Sequence, residues 1–150
     1  MTVFVIFLFL AAYNAGCMTT LQLQHYGIYP FVGPEAFAGY MQANNRAAVV
    51  PTIVPALLLL VVSVILTLHR PAFVWGSEAA ASMALNLIAL ASTFLWQRPL
   101  QGQMAVTGYD AEKVRRLIAT NWIRTAAHLL IALLAVRIVA RVISANASMS

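Results

Sequence analysis

The sequence predicts an all-α integral membrane protein: one domain, residues 1–150, folded as a four-helix bundle with a short interfacial helix between spans one and two. Three observations predict it. Hydrophobic residues make up 62% of the chain and charged residues only 9%, far from the balance of a soluble domain. Four apolar runs (about 3–23, 47–68, 79–96 and 118–143) are each long enough, at about 1.5 Å per residue, to cross roughly 30 Å of hydrocarbon. Polar, proline or aromatic residues bound these runs, as expected where a helix leaves a bilayer.

Charge and cysteine content narrow the class. The net charge is +5, but the nine Lys and Arg residues are spread through loops and helix ends. That spread fits anionic lipid headgroups and not nucleic acid. Cys17 is the single cysteine, which excludes an intrachain disulfide and a cysteine-rich metal site.

The first span, Val3 to about Leu23, carries Asn14, Met18, Leu21 and His25 on one stripe. An amide in mid-membrane needs an internal partner. Gln22, Gln24, His25 and Tyr26 mark the interface. Ala15-Gly16-Cys17 is similar to the end of a lipoprotein cleavage site. However, no Lys or Arg precedes the run, and Asn14 interrupts its apolar part, so the helix is expected to stay in the mature protein.

Tyr26 to Ala48 is too polar and too interrupted to span. Pro34 followed by Glu35 starts a helix: proline suits the first turn, and a carboxylate suits the positive end of the dipole. Phe37, Tyr40, Met41 and Asn44 then keep helical spacing. The alternative is an amphipathic loop among the headgroups. In the second span Pro51 and Pro55 each remove a backbone donor and free a carbonyl one turn back, so the helix should bend there. Freed carbonyls beside a polar loop suit a site, although prolines are also ordinary in membrane helices. His69-Arg70-Pro71 ends this span, and Ser77 or Glu78 is expected to cap the third. The third span is rich in Ala and Ser, which permits close packing. Trp96 is placed at the interface, Arg98-Pro99 is expected to stop the helix, and Leu100 to Tyr109 to form a loop.

Asp110 should cap the last helix, whose first two turns are wet because they hold Glu112, Lys113, Arg115 and Arg116. Within its membrane part, Asn121, Arg124, Thr125 and His128 fall within roughly 100° of one another at 3.6 residues per turn. Polar groups on a lipid-embedded helix are costly unless they face protein or water, so the stripe should point inward. It either lines a site or only joins helices. Arg137 and Arg141 lie on the opposite face near the far end, where snorkelling is expected. The tail, Ser144 to Ser150, is small, polar and expected to be loose.

Span order puts loops one and three on one side and both termini with loop two on the other. His25, Asn44, Trp96, Asn121, Arg124 and His128 therefore converge toward the first side. His25 should line the mouth of a pocket there and His128 its floor.

Two stretches resemble a known family. Tyr40-Met41-Gln42-Ala43-Asn44-Asn45-Arg46, ahead of a proline-containing apolar helix, resembles an element of a family of small four-span membrane proteins of unknown function that includes anthrone oxygenase-like proteins. Asn121-Trp122-Ile123-Arg124-Thr125 resembles that family's fourth-helix signature, and Gln24-His25-Tyr26 with Phe31-Val32-Gly33 is similar to its bacterial members. The resemblance implies a four-helix membrane bundle, a bacterial inner (cytoplasmic) membrane location, and oxygenation of anthrones to anthraquinones without a metal or organic cofactor. It marks Asn44, Asn121, Arg124 and His25. This chain has His128 where the family commonly has an aromatic residue.

The residues support an enzyme or a binding protein. As an enzyme, His25 or His128 would take a proton from a flat lipophilic phenol or quinone-like compound, and Arg124 with Asn121 would stabilise the oxyanion. The resulting electron-rich carbanion can react directly with oxygen. Asn44, Tyr26, Trp96 and Trp122 would contact the ligand, the tryptophans by stacking. As a binding or accessory subunit, the same pocket would hold a lipid, quinone or pigment, alone, as a homo-oligomer or within a larger membrane complex. A haem or metal held by His25 and His128 is a further alternative. The chain contains no nucleophile triad, phosphate loop or acidic metal cluster.

Intact mass tests the first span. The expected purified protein retains residues 1–16; a chain starting at Cys17 with added lipid would leave three spans.

Overall fold

The computed structural model describes residues 1–148, which form helices with no strand among them. Four continuous helical spans, Thr2–Phe31, Val49–Leu68, Gly76–Thr107 and Ala111–Ala147, are long and apolar enough to cross a membrane. The first comprises α1 (Thr2–Thr20), a π-helical turn Leu21–His25 and a 3-10 turn Tyr26–Phe31. Next comes the short helix α2 (Pro34–Ala47), with Pro34 in its first turn and Glu35 at its positive end as the sequence predicts. The second span joins a π-helical turn Val49–Ile53 to α3 (Val54–Leu68). The third runs through α4 (Gly76–Ser92), a π-helical turn Thr93–Gln97 and α5 (Arg98–Thr107). The last is one helix, α6 (Ala111–Ala147).

The four long helices form a square. α1 packs on α3 and α6, α4 packs on the same two, and the diagonal pairs do not meet. α2 lies against α5 and touches the π-turn at Val49–Ile53, so this pair covers one end of the square. Two hydrophobic clusters result. Phe4, Phe7, Leu59, Leu66, Ile131 and Ile138 fill the end near the termini. Tyr26, Tyr29, Phe37, Met41, Met104 and Leu117 fill the end under α2 and α5. Between them lies a polar layer that contains Asn14, Asn121, Arg124, Thr125 and His128, all buried.

Several boundaries differ from the sequence expectation. Arg98-Pro99 does not stop the third helix: both lie in the first turn of α5, and the preceding π-turn absorbs both the donor that Pro99 lacks and the break in register. The expected loop Leu100 to Tyr109 is therefore helical as far as Thr107. The real turn is Gly108, at φ +82°, a conformation that favours glycine. α4 starts after Trp75, not at Ser77 or Glu78; Glu78 reaches back to accept from the Trp75 backbone N–H at 3.0 Å. The tail is helical through Ala147, and Met149 and Ser150 lie outside the described residues. Asp110 caps α6 as expected. Its Oδ1 accepts from the N–H groups of Glu112 and Lys113 at 3.0 and 3.1 Å, and these bonds hold its carboxyl below the usual carboxylate range.

The prolines of the second span bind it to the first. Pro55 has no N–H for the Pro51 carbonyl, and the Tyr13 hydroxyl donates to that carbonyl at 3.1 Å, with the Cys17 thiol 3.7 Å away. Asn14 finds its internal partners in the carbonyls of Leu10 and Pro55, at 2.8 and 3.2 Å. One carbonyl freed by proline thus serves helix packing.

Arg141 does not snorkel. Its guanidinium meets both oxygens of the buried Glu78 at 2.6 and 2.8 Å, donates to the Phe73 carbonyl at 2.8 Å and sits 3.8 Å from the Trp75 ring centre. This clamp joins α6 to the start of α4. Arg141→Ala would leave the Glu78 carboxylate unpaired and should lower the unfolding midpoint. The double variant Arg141→Met, Glu78→Gln should recover most of that in thermal unfolding of the detergent-solubilised protein. Equal losses in the single and double variants would show that the ion pair is not what holds this end.

Candidate functional site

The polar layer is assembled from three of the four spans around Arg124. Asn121, three residues earlier on α6, accepts from the guanidinium at two of its nitrogens, Nε at 2.8 Å and Nη2. The amide of Asn121 donates in turn to Gln22 Oε1 at 2.7 Å, and Gln22 donates to the Ile118 carbonyl at 3.3 Å. Arg124 Nη2 also donates to the Tyr26 hydroxyl at 3.0 Å, and Nη1 to the Thr93 hydroxyl at 3.4 Å. Thr125 closes the layer by donating to the Met18 carbonyl at 3.4 Å. The helical spacing read from the sequence explains this arrangement: positions 121, 124, 125 and 128 share the face of α6 that meets α1 and α4.

Every partner of the Arg124 guanidinium is neutral, although the residue is only 7% exposed. Of the four acidic residues, Glu78 pairs with Arg141, Asp110 with Lys113 and Glu112 with Arg115, while Glu35 is exposed at the start of α2. The layer therefore holds one full positive charge that dipoles solvate and no carboxylate neutralises.

Two small cavities meet at this charge. The outer one, about 30 Å³, is lined by His25, Tyr26, Asn44, Arg98, Gln101 and Arg124, among others. The inner one, about 10 Å³, is lined by Met18, Ala56, Leu90, Arg124 and His128. Thr52, Ile53 and Thr93 border both. Five of these lining residues, Leu21, His25, Thr52, Ile53 and Thr93, belong to the three π-helical turns. Turns of this kind swell a helix by one residue and often occur at functional sites. The larger volume matches about one molecule of liquid water.

The sequence-predicted residues divide. His25, Tyr26 and Asn44 line the outer cavity with Arg124, and His128 lines the inner one. Asn121 lines neither: it is fully buried and acts by holding Arg124. Trp122 is 49% exposed on the outside of α6, and Trp96 borders a separate surface groove with Arg116; neither reaches the cavities. A residue next to a stripe residue points about 100° away from it, which turns Trp122 from the face that Asn121 occupies. His25 donates to or accepts from the Tyr29 hydroxyl at 3.3 Å, and Asn44 donates to the same oxygen at 3.4 Å. The two histidine rings open into different cavities, and among the described residues no three His, Cys, Asp or Glu side chains come together as metal ligands.

His128 lines the inner cavity, and its Nδ1 is buried without a hydrogen-bond partner. In an apolar interior such a nitrogen costs about 1–3 kcal/mol.

Gln22, Thr93 and Gln97 are site residues that the sequence reading missed. Gln22 had been placed at the interface. A signal for the other two existed: Ser82, Asn86, Thr93 and Gln97 form a polar stripe along the third span at helical spacing, and all four are buried. Gln97 donates to the Thr120 hydroxyl at 2.8 Å and Asn86 to the Ser63 hydroxyl at 3.0 Å.

Comparison of the chain with family models, curated proteins and solved structures returns no match.

Asn121 should be the least replaceable member of the layer. Asn121→Ala removes the acceptor for two guanidinium nitrogens and the donor to Gln22, and should cost about 2–3 kcal/mol. A double-mutant cycle of Asn121→Ala with Arg124→Leu, read by thermal unfolding, should show coupling of about 1–3 kcal/mol. Additive losses would mean that the two side chains do not act as a unit.

Proposed function

We propose that this chain is an integral membrane protein of a bacterial inner (cytoplasmic) membrane whose Arg124 cavity binds the oxygen-bearing end of a lipophilic small molecule. The observation that carries the reading is the buried guanidinium with no carboxylate partner. A cation is expensive in a membrane interior, and an electron-rich oxygen from outside the chain is what its surroundings lack.

Membrane insertion is supported by the exterior. Leu57, Leu58, Val61, Leu130, Leu133 and Val136 face outward on α3 and α6 and are 43–64% exposed. Such contiguous apolar faces are rare in water. α2 then lies at the membrane surface, with Phe37 and Met41 turned inward and Glu35, Gln42 and Arg46 outward.

In its catalytic form the pocket is anthrone oxygenase-like. His25 or His128 takes the proton of an aromatic enol, and Arg124 with Tyr26 hydrogen-bonds the oxyanion. The carbanion form of that anion reacts with O₂ without a cofactor. One oxygen atom becomes the new carbonyl of the ring methylene, and the other leaves as water with its two hydrogens. A non-catalytic reading, a binding or accessory subunit, has its own support: cavities of about 30 and 10 Å³ admit an oxygen function but not a fused ring system.

The test is what copurifies in mild detergent, followed by mass and absorption spectrum. Arg124→Leu should remain folded, because an apolar residue replaces an uncompensated charge, and should lose the molecule. His128→Phe should keep the molecule and, if the pocket is catalytic, lose turnover. An Arg124→Leu protein that carries the same molecule, or that cannot be purified folded, would make Arg124 structural.

A further inference from the structure

The outer cavity and a shallow groove on the outside of α1 share one lining residue. Leu21, half-buried at the start of the first π-turn, lines the cavity and also borders a groove of about 480 Å³ along the outside of α1, with Ala12, Tyr13, Gly16, Cys17 and Thr20. The groove floor is small: a Cβ added at Gly16 would meet nothing within 4 Å. Tyr13 and Cys17 turn their polar atoms to the Pro51 carbonyl and leave the groove largely apolar. A small pocket holding one fixed positive charge thus lies next to a shallow, outward-facing apolar hollow.

We propose that the ligand is a long-chain carboxylate, with its acid group on Arg124 and Tyr26 in the cavity and its chain lying outside the bundle in the α1 groove. This rests on the reading of the Arg124 cavity as a ligand site, and it names the ligand class. Three observations select the class. The cavity accepts an acid group and not a ring, so the lipophilic body must lie elsewhere, and the groove is the adjoining space. One uncompensated cation calls for one anion. Among common oxygen acids, a carboxyl group is ionised at neutral pH with a pKa near 4, whereas a phenol near 10 is not, so a carboxylate meets the guanidinium without first losing a proton to the protein. The planar guanidinium also matches two carboxylate oxygens. The Tyr26 hydroxyl accepts from Arg124, which leaves its own proton free to donate to the acid.

The experiment uses the full chain in a non-ionic detergent at pH 8, with thermal unfolding followed by tryptophan fluorescence. Four probes are compared: dodecanoate, dodecanol, 4-nonylphenol and acetate. Dodecanoate at saturating excess should raise the midpoint by about 5 °C, and the other three by less than half of that. Arg124→Gln should abolish the rise. Leu21→Trp, which leaves the Arg124 bonds intact and fills the junction, should lower the affinity for dodecanoate at least tenfold. Equal shifts from dodecanoate, dodecanol and nonylphenol that vanish in Arg124→Gln would keep the cavity as a ligand site and overturn the carboxylate. Acetate equal to dodecanoate would overturn the groove. No shift from any probe would overturn the carboxylate and the ligand site together.

Discussion

The positive charge of Arg124 is the constraint on which the interior depends. Removing a guanidinium from water costs several kcal/mol even after relaxation, and the usual remedy is a carboxylate. Here the remedy is neutral dipoles. Asn121 supplies an oxygen to two nitrogens, and Tyr26 and Thr93 supply hydroxyl oxygens from two other helices. Gln22 then fixes Asn121, and Ile118 fixes Gln22. The bonds to Tyr26, Thr93 and Gln22 fix the rotation of α6 against the first and third spans. Such polar contacts set register more specifically than leucine packing does, since apolar faces slide past one another at little cost.

The three π-helical turns lie where this layer needs room. Two have a local cause. Pro51 and Pro55 remove donors around Val49–Ile53, and Pro99 removes the one that Leu95 would have used in the turn Thr93–Gln97. Each helix absorbs the loss by widening, and Thr52, Ile53 and Thr93 project into the cavities from the widened turns. The third turn, Leu21–His25, has no proline within one turn after it, and nothing in the local sequence explains it. It brings Leu21 and His25 to the outer cavity and puts Gln22 against Asn121.

The sequence showed the four apolar spans, the short helix after Pro34, the Asp110 cap and the inward stripe of α6, because each rests on a period or a cap chemistry that acts locally. It did not show where helices continue. Arg98-Pro99 reads as a stop, yet a π-turn lets the helix pass through and bury Leu100 and Met104 against α2. Neither could the partners of Asn121 be read, since Gln22 lies 99 positions away and only packing selects it over Gln24. The site residues on α6 were legible from 3.6-residue spacing. The same spacing turns Trp122 outward from the stripe, while Trp96 is half-buried beside a separate groove.

Two inward-reaching arginines of α6 differ in how their charge is met. Arg141 and Arg124 both reach inward from α6, and both make several hydrogen bonds. Arg141 meets Glu78, a backbone carbonyl and the face of Trp75, so charge and donors are satisfied together and no cavity adjoins it among those described. Arg124 has its donors partly satisfied and its charge not at all, and two cavities touch it, one of which also touches a histidine with an unpaired nitrogen. A purely structural arginine would be more stably held by a carboxylate, and two turns of helix with Asn, Thr and His offered several positions for one. Leaving the charge open is costly to the apo bundle. The proposed ligand site rests on that open charge more than on the size of the cavity.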